Sequence, residues 1–475
     1  MAKAIAVEQG ALREQLREAE TERIVVAWFY SATFWLVLGM SAGVLTAIKF
    51  VFPDFWGHIS YLTMGRARPV HVNAVAFGFL SQAQVGAALY IIPRLVRRPF
   101  YSPALARYAL WVWNLALIIG IGGLFLGYTE GREYAELIAP ADWLLVAALG
   151  MLVVGFLFTI ALRREKQLYV SVWYIVGSLL WMPIVFMVGN HTFLHLTGLN
   201  DAIANWFYGH NILGLWFTTM GVGGAYYLLP ILARQPLWSH RLSLVGFWAL
   251  AIFYAPIGAH HILQAPIPEY LKTISVFFSG MLMLPVLTVL TNFYMTLNGR
   301  WRLIVDDMPT RFLVAGAVHY LVTCIQGPMQ AARWLNPYIH FTNWVVAHAH
   351  MALLGTFAFW LWAAAYYILP RILKREWPSR GMIGAHFWLS FLGFFIFFAA
   401  LMVAGLEQSM GWWMGEPVQK IILYLRPMFF LRLLGGTMLL LGNIIFAYHM
   451  WLMARQPATA GIAPTDGAAA APAGA

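Results

Sequence analysis

The chain has 475 residues, of which 61% are hydrophobic and only 10% charged. Ordinary soluble domains carry about 25% charged residues, so this composition excludes a water-soluble globule and points to a protein surrounded by lipid bilayer. The net charge of +11 then belongs to loops on one side of that bilayer rather than to a nucleic-acid-binding face.

A hydrocarbon core about 30 Å thick takes roughly 20 apolar residues per helix. Twelve such runs are predicted, near 26–52, 71–93, 106–128, 141–162, 170–190, 203–232, 241–265, 273–297, 312–330, 343–369, 383–406 and 424–453. The fold expected is an all-α integral membrane protein, a bundle of twelve transmembrane helices. Residues 1–25 are polar and mixed in charge, with no cleavable-looking signal peptide, and read as a cytoplasmic segment. Residues 26–455 form the membrane domain, and 456–475, rich in Ala, Pro, Gly and Thr, read as a disordered cytoplasmic tail. No internal repeat is visible. Loop charge alternates: Arg94, Arg97 and Arg98, then Arg163, Arg164 and Lys166, then Arg234 and Arg241, then Arg300, Arg302 and Arg311, then Arg371, Lys374 and Arg375 share one side. The other side is poorer in Lys and Arg and holds the acidic stretch from Glu130 to Asp142. The positive-inside rule puts the basic side, and both termini, in the cytoplasm.

Cys324 is the only cysteine, which excludes an internal disulfide framework, a two-cysteine copper site and a Cys-x-x-Cys-His attachment of a c-type haem. The 22 Trp and 33 Phe suit interfacial belts and flat walls around a large cofactor.

Histidine within a bilayer is costly and marks function more often than packing when several gather. Six of the fourteen histidines fall at one depth near the outer side. His71 opens the second run, His210 lies about two turns into the sixth, His260 and His261 end the seventh, and His348 and His350 open the tenth. At about 100° per residue, positions two apart point to nearly opposite flanks of a helix. The tenth helix therefore offers an imidazole to each of two sites. Six imidazoles divide naturally into a bis-histidine haem, a mono-histidine haem with one open face, and a three-histidine copper site. Of the rest, His58, His191, His195 and His240 read as solvated, and His319, His386 and His449 as interior or interfacial without a nameable partner.

The strings GRARPVH, REYAEL, WFYGHN, SHRLS, FWALAIFYAPIGAHH, WVVAHAH and RPMFFLRLLGGTM, in that order, resemble the catalytic subunit of haem–copper oxidases, specifically the C-family or cbb3-type cytochrome c oxidases. The resemblance runs from the first helix to the twelfth. It implies that His71 and His350 ligate a low-spin haem b, and that His348 is the proximal ligand of a high-spin haem b3. His210, His260 and His261 would hold the facing copper, CuB. Tyr254 would be the redox-active tyrosine, cross-linked to His210. Tyr254 precedes His261 by about two helical turns, although Pro256 intervenes. Glu133 and Glu136 match an acidic pair beside a calcium ion, whose taste for carboxylate oxygen is general. Arg66 and Arg68 are plausible partners for haem propionates, and Asn336 and His340 match neighbours of the b3 propionates. Tyr226, Tyr227, Ser243 and Asn292 match the family's proton-conducting pathway.

Two features depart from the pattern. The family has glutamate before Gly-Pro in the ninth helix, where this chain has Gln326, and a neutral amide cannot hold or relay a proton. The outer end of the seventh helix, APIGAHHILQ, has some character of nitric oxide reductases. The resemblance implies a terminal oxidase of the bacterial inner membrane that reduces O2 to water and takes up protons. Because the chain has no entry cofactor of its own, a membrane-anchored c-type cytochrome subunit is the expected source of electrons. The alternative is a nitric oxide reductase with iron in place of copper. Those enzymes carry a glutamate four residues after the helix-six histidine, where this chain has Gly214. A twelve-span transporter with structural histidines would lack haem and show broken helices near the midplane.

Overall fold

The computed structural model describes residues 2–458. The tail expected to be disordered lies, from residue 459 on, outside the described residues. Backbone N–H and C=O groups in hydrocarbon must be satisfied within the segment, so each apolar run closes into a helix. Twelve helices long and apolar enough to cross a membrane result. They are α1 (Ala2–Val51), α2 (Met64–Val96), α3 (Pro103–Leu126), α4 (Ala139–Ala161), α5 (Val170–Gly189) and α6 (Gly198–Ala233). There follow α7 (His240–Ile262), α8 (Glu269–Thr296), α9 (Met308–Ala331), α10 (Asn343–Leu373), α11 (Arg380–Trp413) and α12 (Val418–Arg455).

Each matches one predicted run, with the largest change at the start. The polar N-terminal residues continue α1 rather than standing apart from it. Their acids meet the bases of neighbouring loops: Glu14 pairs with Arg98 and Arg164, both at 2.7 Å, Glu20 with Arg107 at 2.9 Å and Glu22 with Arg94 at 2.7 Å. Single surface ion pairs are worth about 0–1 kcal/mol, but a network spread along one helix face holds that face in place.

The bundle does contain a repeat, which the sequence reading missed. Near the basic ends of α2, α6 and α10 stand Tyr90 and Pro93, Tyr227 and Pro230, and Tyr367 and Pro370. Each helix ends on a left-handed residue, Arg97 (φ 53), Arg234 (φ 54) and Lys374 (φ 53). Each next helix starts at a serine N-cap, Ser102, Ser239 and Ser379, whose side chain accepts from the backbone N–H of Leu105, Leu242 and Met382 respectively. In two of the three, arginine lies over tyrosine: Arg94 over Tyr90 at 3.6 Å and Arg371 over Tyr367 at 3.5 Å. These three helices are also the most deeply buried, and they carry four of the six histidines. His71 stands to Pro93 as His348 stands to Pro370, and His210 stands to Pro230 as His350 does to Pro370.

Each repeated helix widens into a π turn just past its histidines, at Ala74–Leu80, Leu213–Thr218 and Met351–Ala358. Such a turn inserts one residue and rotates everything beyond it, a feature concentrated at functional sites. In α7 the opposite happens. Pro256 has no N–H to donate, and the chain winds more tightly from Ala255 to Ile262 as a 3-10 helix.

Candidate metal centre

One cavity is lined by all six histidines. His71 and His350 face each other across it with ring centres 6.1 Å apart and planes 12° from parallel. The other nitrogen of each ring is already engaged: His71 Nδ1 faces the Gly39 carbonyl at 2.8 Å and His350 Nδ1 the Val346 carbonyl at 2.8 Å. A carbonyl only accepts, so each Nδ1 carries the proton and each Nε2 keeps its lone pair for the space between them. Two metal–nitrogen bonds of about 2.0 Å, on either side of one ion, put imidazole centres roughly 6 Å apart. Glycine is needed beside this pair, since a Cβ on Gly43 would sit 2.7 Å from His71 Nδ1.

The second group is a triangle. Ring nitrogens of His210, His260 and His261 lie within 4.8 Å of one another, the only such cluster of three among the described residues. His210 Nδ1 is 2.9 Å from His261 Nε2, and His210 Nε2 is buried without a partner. His260 Nδ1 meets Ser279 Oγ at 2.6 Å. Trp206 stacks on His261 at 4.2 Å and 8°, making a flat wall that charge and spacing alone did not reveal. Tyr254 lies 5.0 Å from His210, ring to ring, and lines the cavity together with Thr218. The α-helical count from Tyr254 to His261 is not what joins them, because the chain between is 3-10; both instead converge on His210 from α7. Gly214 packs so closely against Tyr254 that any Cβ would overlap the phenol ring.

His348, two residues from His350 and so on nearly the opposite flank of α10, lines the same cavity as the triangle. Its Nδ1 is 3.4 Å from Gln326 Oε1, and the Gln326 amide N–H2 meets the Met402 sulfur at 3.4 Å. This buried amide is the group that orients His348.

Charged and polar groups close the histidine end. Arg68 pairs with Glu133 at 2.6 Å, and both line the cavity. Glu136 is buried and accepts from Asn73 Nδ2 at 3.0 Å. Burial pushes its carboxyl up to about 7, against the Asn73 hydrogen bond and helped by the nearby Glu133 charge. Arg66 turns elsewhere, donating to the Phe125 carbonyl at 3.0 Å. Arg432, which the sequence reading did not single out, lines the cavity beside His71 and His350 with its guanidinium 4.5 Å over the Phe50 ring. An arginine set deep in the apolar run of α12, six residues past Arg426, was the signal that could have found it. Asn336 and His340 are joined through Gln264, also unforeseen: its amide N–H donates to Asn336 Oδ1 at 2.5 Å and its Oε1 faces His340 Nδ1 at 3.0 Å. Burial lowers the His340 imidazole below its ordinary value.

Nearer the basic end, Asn292 donates to Tyr226 Oη at 3.4 Å and to the Ser239 carbonyl at 3.0 Å. Ser243 Oγ donates back to the His240 carbonyl at 2.7 Å. Tyr227 packs edge-on against Tyr90 at 6.3 Å, away from the Tyr226 group. The three interior histidines do have partners: His319 the Gly355 carbonyl at 2.7 Å, His386 the Tyr366 hydroxyl at 2.9 Å, and His449 the Ser379 backbone N–H at 3.1 Å.

The donor chemistry fits two porphyrin irons and a third metal, because the available lone pairs are imidazole nitrogens and imidazole suits iron and copper alike. Residues 23–438 match the family model described as cytochrome c and quinol oxidase polypeptide I. A cbb3-type cytochrome c oxidase subunit of Stutzerimonas stutzeri is 31% identical over 458 residues, covering 93% of this chain and 97% of that one. Cytochrome c oxidase subunit 1 of Rhodobacter capsulatus is 30% identical, covering 93% and 87%. A nitric oxide reductase of Stutzerimonas stutzeri is more distant, 24% identical over 92% and 96%. A solved haem–copper terminal oxidase dimer superposes with a TM-score of 0.77 at 17% identity, covering 93% of this chain and 85% of that chain.

Proposed function

Since the chain belongs to the cytochrome c and quinol oxidase polypeptide I family, we infer that it is the catalytic subunit of a cbb3-type haem–copper oxygen reductase. It is a multi-pass membrane protein that works with haem and copper and with other oxidase subunits. When bound, haem and copper supply the electrons that reduce O2 to water. Everything else falls to the chain.

His71 and His350 would hold the low-spin haem b, His348 the high-spin haem b3, and His210, His260 and His261 the copper, CuB. The nearly parallel rings of His71 and His350, 6.1 Å apart and each with its Nδ1 on a backbone carbonyl so that Nε2 keeps its lone pair, carry this reading. Arg68 and Arg432, both on the cavity wall, would neutralise haem propionates. Arg66 is a weaker choice, being spent on a carbonyl. Asn336, Gln264 and His340 would fix the far rim. Glu133 and the buried Glu136 would share a calcium ion. Tyr254 would give up its hydroxyl proton toward the reacting oxygen. Tyr226, Ser243 and Asn292 would carry protons inward from the basic side. Gln326 would orient His348 through a neutral acceptor.

The basic end would face the cytoplasm, placing residues 1–25, the tail and both termini there and the metals toward the outside of a bacterial inner membrane. With no entry cofactor of its own, the chain would take electrons from a membrane-anchored c-type cytochrome subunit.

Nitric oxide reductase is disfavoured by Gly214. The glutamate those enzymes carry at that place would have to occupy the volume of the Tyr254 ring. Metal analysis together with a reduced-minus-oxidised spectrum tests the reading. One copper per two haems is expected. A third iron without copper would assign the chain to nitric oxide, and no haem at all would leave only a bundle.

A further inference from the structure

A metal-bound imidazole presents one ring nitrogen with its lone pair free, so the other nitrogen has to carry the proton. For His71 and His350 a backbone carbonyl settles which is which, because a carbonyl cannot donate. His260 is placed differently. Its Nδ1 faces a hydroxyl, Ser279 Oγ at 2.6 Å, and a hydroxyl can give a proton as readily as accept one. Were Ser279 to donate, the proton of His260 would sit on Nε2. The ring would then have no lone pair left for the cavity that both residues line.

The next link removes that freedom. Ser279 Oγ donates its single proton to the Ser275 carbonyl at 2.8 Å, one turn earlier in α8. With the proton committed there, only oxygen lone pairs remain for His260. The imidazole therefore keeps its own proton on Nδ1 and has Nε2 free. Ser275 takes part as well, its Oγ donating to the Ile257 carbonyl of α7 at 2.7 Å. Ser275 is 0% and Ser279 2% exposed, so bulk water does not compete for these contacts.

The winding of the two helices explains the match. His260 and His261 lie on the 3-10 segment Ala255–Ile262, and 3-10 runs longer than three or four residues are uncommon without outside support. Helix α8 is interrupted at Leu282, three residues before Pro285, and its first half, Glu269–Met281, packs against that segment. Four residues of α-helix and three of 3-10 helix both rise about 6 Å. Ser275 and Ser279, four apart, thus meet Ile257 and His260, three apart, one pair per turn. An α-helical α7 would break this register.

We propose that Ser279 is the positioning residue of the copper site, an acceptor that fixes the proton of His260 on Nδ1 and leaves Nε2 free for the metal. Ser275 holds the 3-10 segment in register with it. This rests on the reading of the three-histidine triangle as the copper site of an oxygen reductase.

The test uses the assembled oxidase, with copper content and copper retention against a chelator measured beside the low-spin haem band. Ser279→Ala deletes the acceptor and is expected to weaken copper binding about 10- to 100-fold, with the haem band unchanged. Ser279→Thr keeps the hydroxyl and is expected to restore copper binding. Ser275→Ala leaves both the Ser279 hydroxyl and the carbonyl it donates to, and is expected to cost less than Ser279→Ala. Wild-type copper affinity in Ser279→Ala overturns the proposal. So does an equal loss in Ser279→Thr or in Ser275→Ala, which would make shape rather than the acceptor the requirement. A wild-type protein holding iron in place of copper overturns the oxygen-reductase reading instead, and the same three variants, read on that iron, still decide for or against Ser279. A triangle that binds neither metal overturns both.

Discussion

Helix α10 offers one imidazole to each flank, and the two flanks hold their rings by different means. On one side His350 Nδ1 leans on the Val346 carbonyl and His71 Nδ1 on the Gly39 carbonyl, each at 2.8 Å. On the other, His348 Nδ1 meets a side-chain amide, Gln326 Oε1, at 3.4 Å. A backbone carbonyl survives every substitution that leaves the helix intact, whereas an amide is one codon from a carboxylate. The facing pair is therefore held by the fold, and the single histidine by a replaceable neighbour. Partners of this kind set ligand basicity as well as orientation. The electron-entry side would be conserved in its chemistry by geometry, and the oxygen side would be adjustable through one residue.

The strongest way to break this contrast is to delete each ring. His350→Ala is expected to abolish the low-spin haem band and cut turnover more than about 100-fold, beyond what loss of an orienting partner costs. Carbon monoxide binding to the other haem should persist. His348→Ala should do the reverse, losing carbon monoxide binding while the low-spin band stays. Loss of both signals in either variant would show that the flanks are not separable.

Carboxylates give a third kind of support, and they titrate. Glu136 is raised to about 7 by burial, so the folded chain favours its protonated form. The stability linked to it is full below the ordinary carboxylate range and falls as pH rises through about 7. A calcium ion shared with Glu133 would offset that loss. At a hundredfold excess over Kd it is expected to add about 2.7 kcal/mol at pH 8 and little at pH 5. Thermal melts with and without a chelator at both pH values check this. Equal chelator effects at the two pH values, or an undiminished effect in Glu136→Gln, would remove calcium from the site.

Gly214→Ala probes the oxygen flank alone. Its methyl group overlaps the Tyr254 ring, and overpacking of this sort costs about 1–3 kcal/mol. Copper content should fall while the low-spin band is kept; retained copper with full activity would contradict the packing. The smallest expected effect is the sharpest. Gln326→Glu puts a negative charge next to His348, favours ferric iron, and should lower the b3 potential by about 60 mV, a tenfold change in a one-electron equilibrium. The low-spin potential should not move. A b3 potential and a rate both unchanged in redox titration and turnover assays would discard Gln326 as the tuning residue.

Much of this was legible before any coordinates. Twelve runs appear in the sequence because a hydrocarbon slab demands a minimum apolar length, and all twelve became helices. The six histidines stood out because an imidazole in an apolar run has few uses. The threefold repeat did not stand out, since only a tyrosine, a proline and a capping serine recur, while the apolar residues between them drift freely. Arg432 hid in a motif noticed for other reasons. Gln264 hid because its two partners, Asn336 and His340, lie far along the chain.

From the amino-acid order alone follow the number of spans, the side on which the arginines gather, and the depth of the histidines, because hydropathy, loop charge and helical rise are local properties. Which rings face each other followed from none of these. The π turns of α2, α6 and α10 and the 3-10 winding of α7 rotate each helix by amounts that no local pattern encodes. The pairing of His71 with His350 and the triangle around His210 exist only because distant helices pack in one particular rotation.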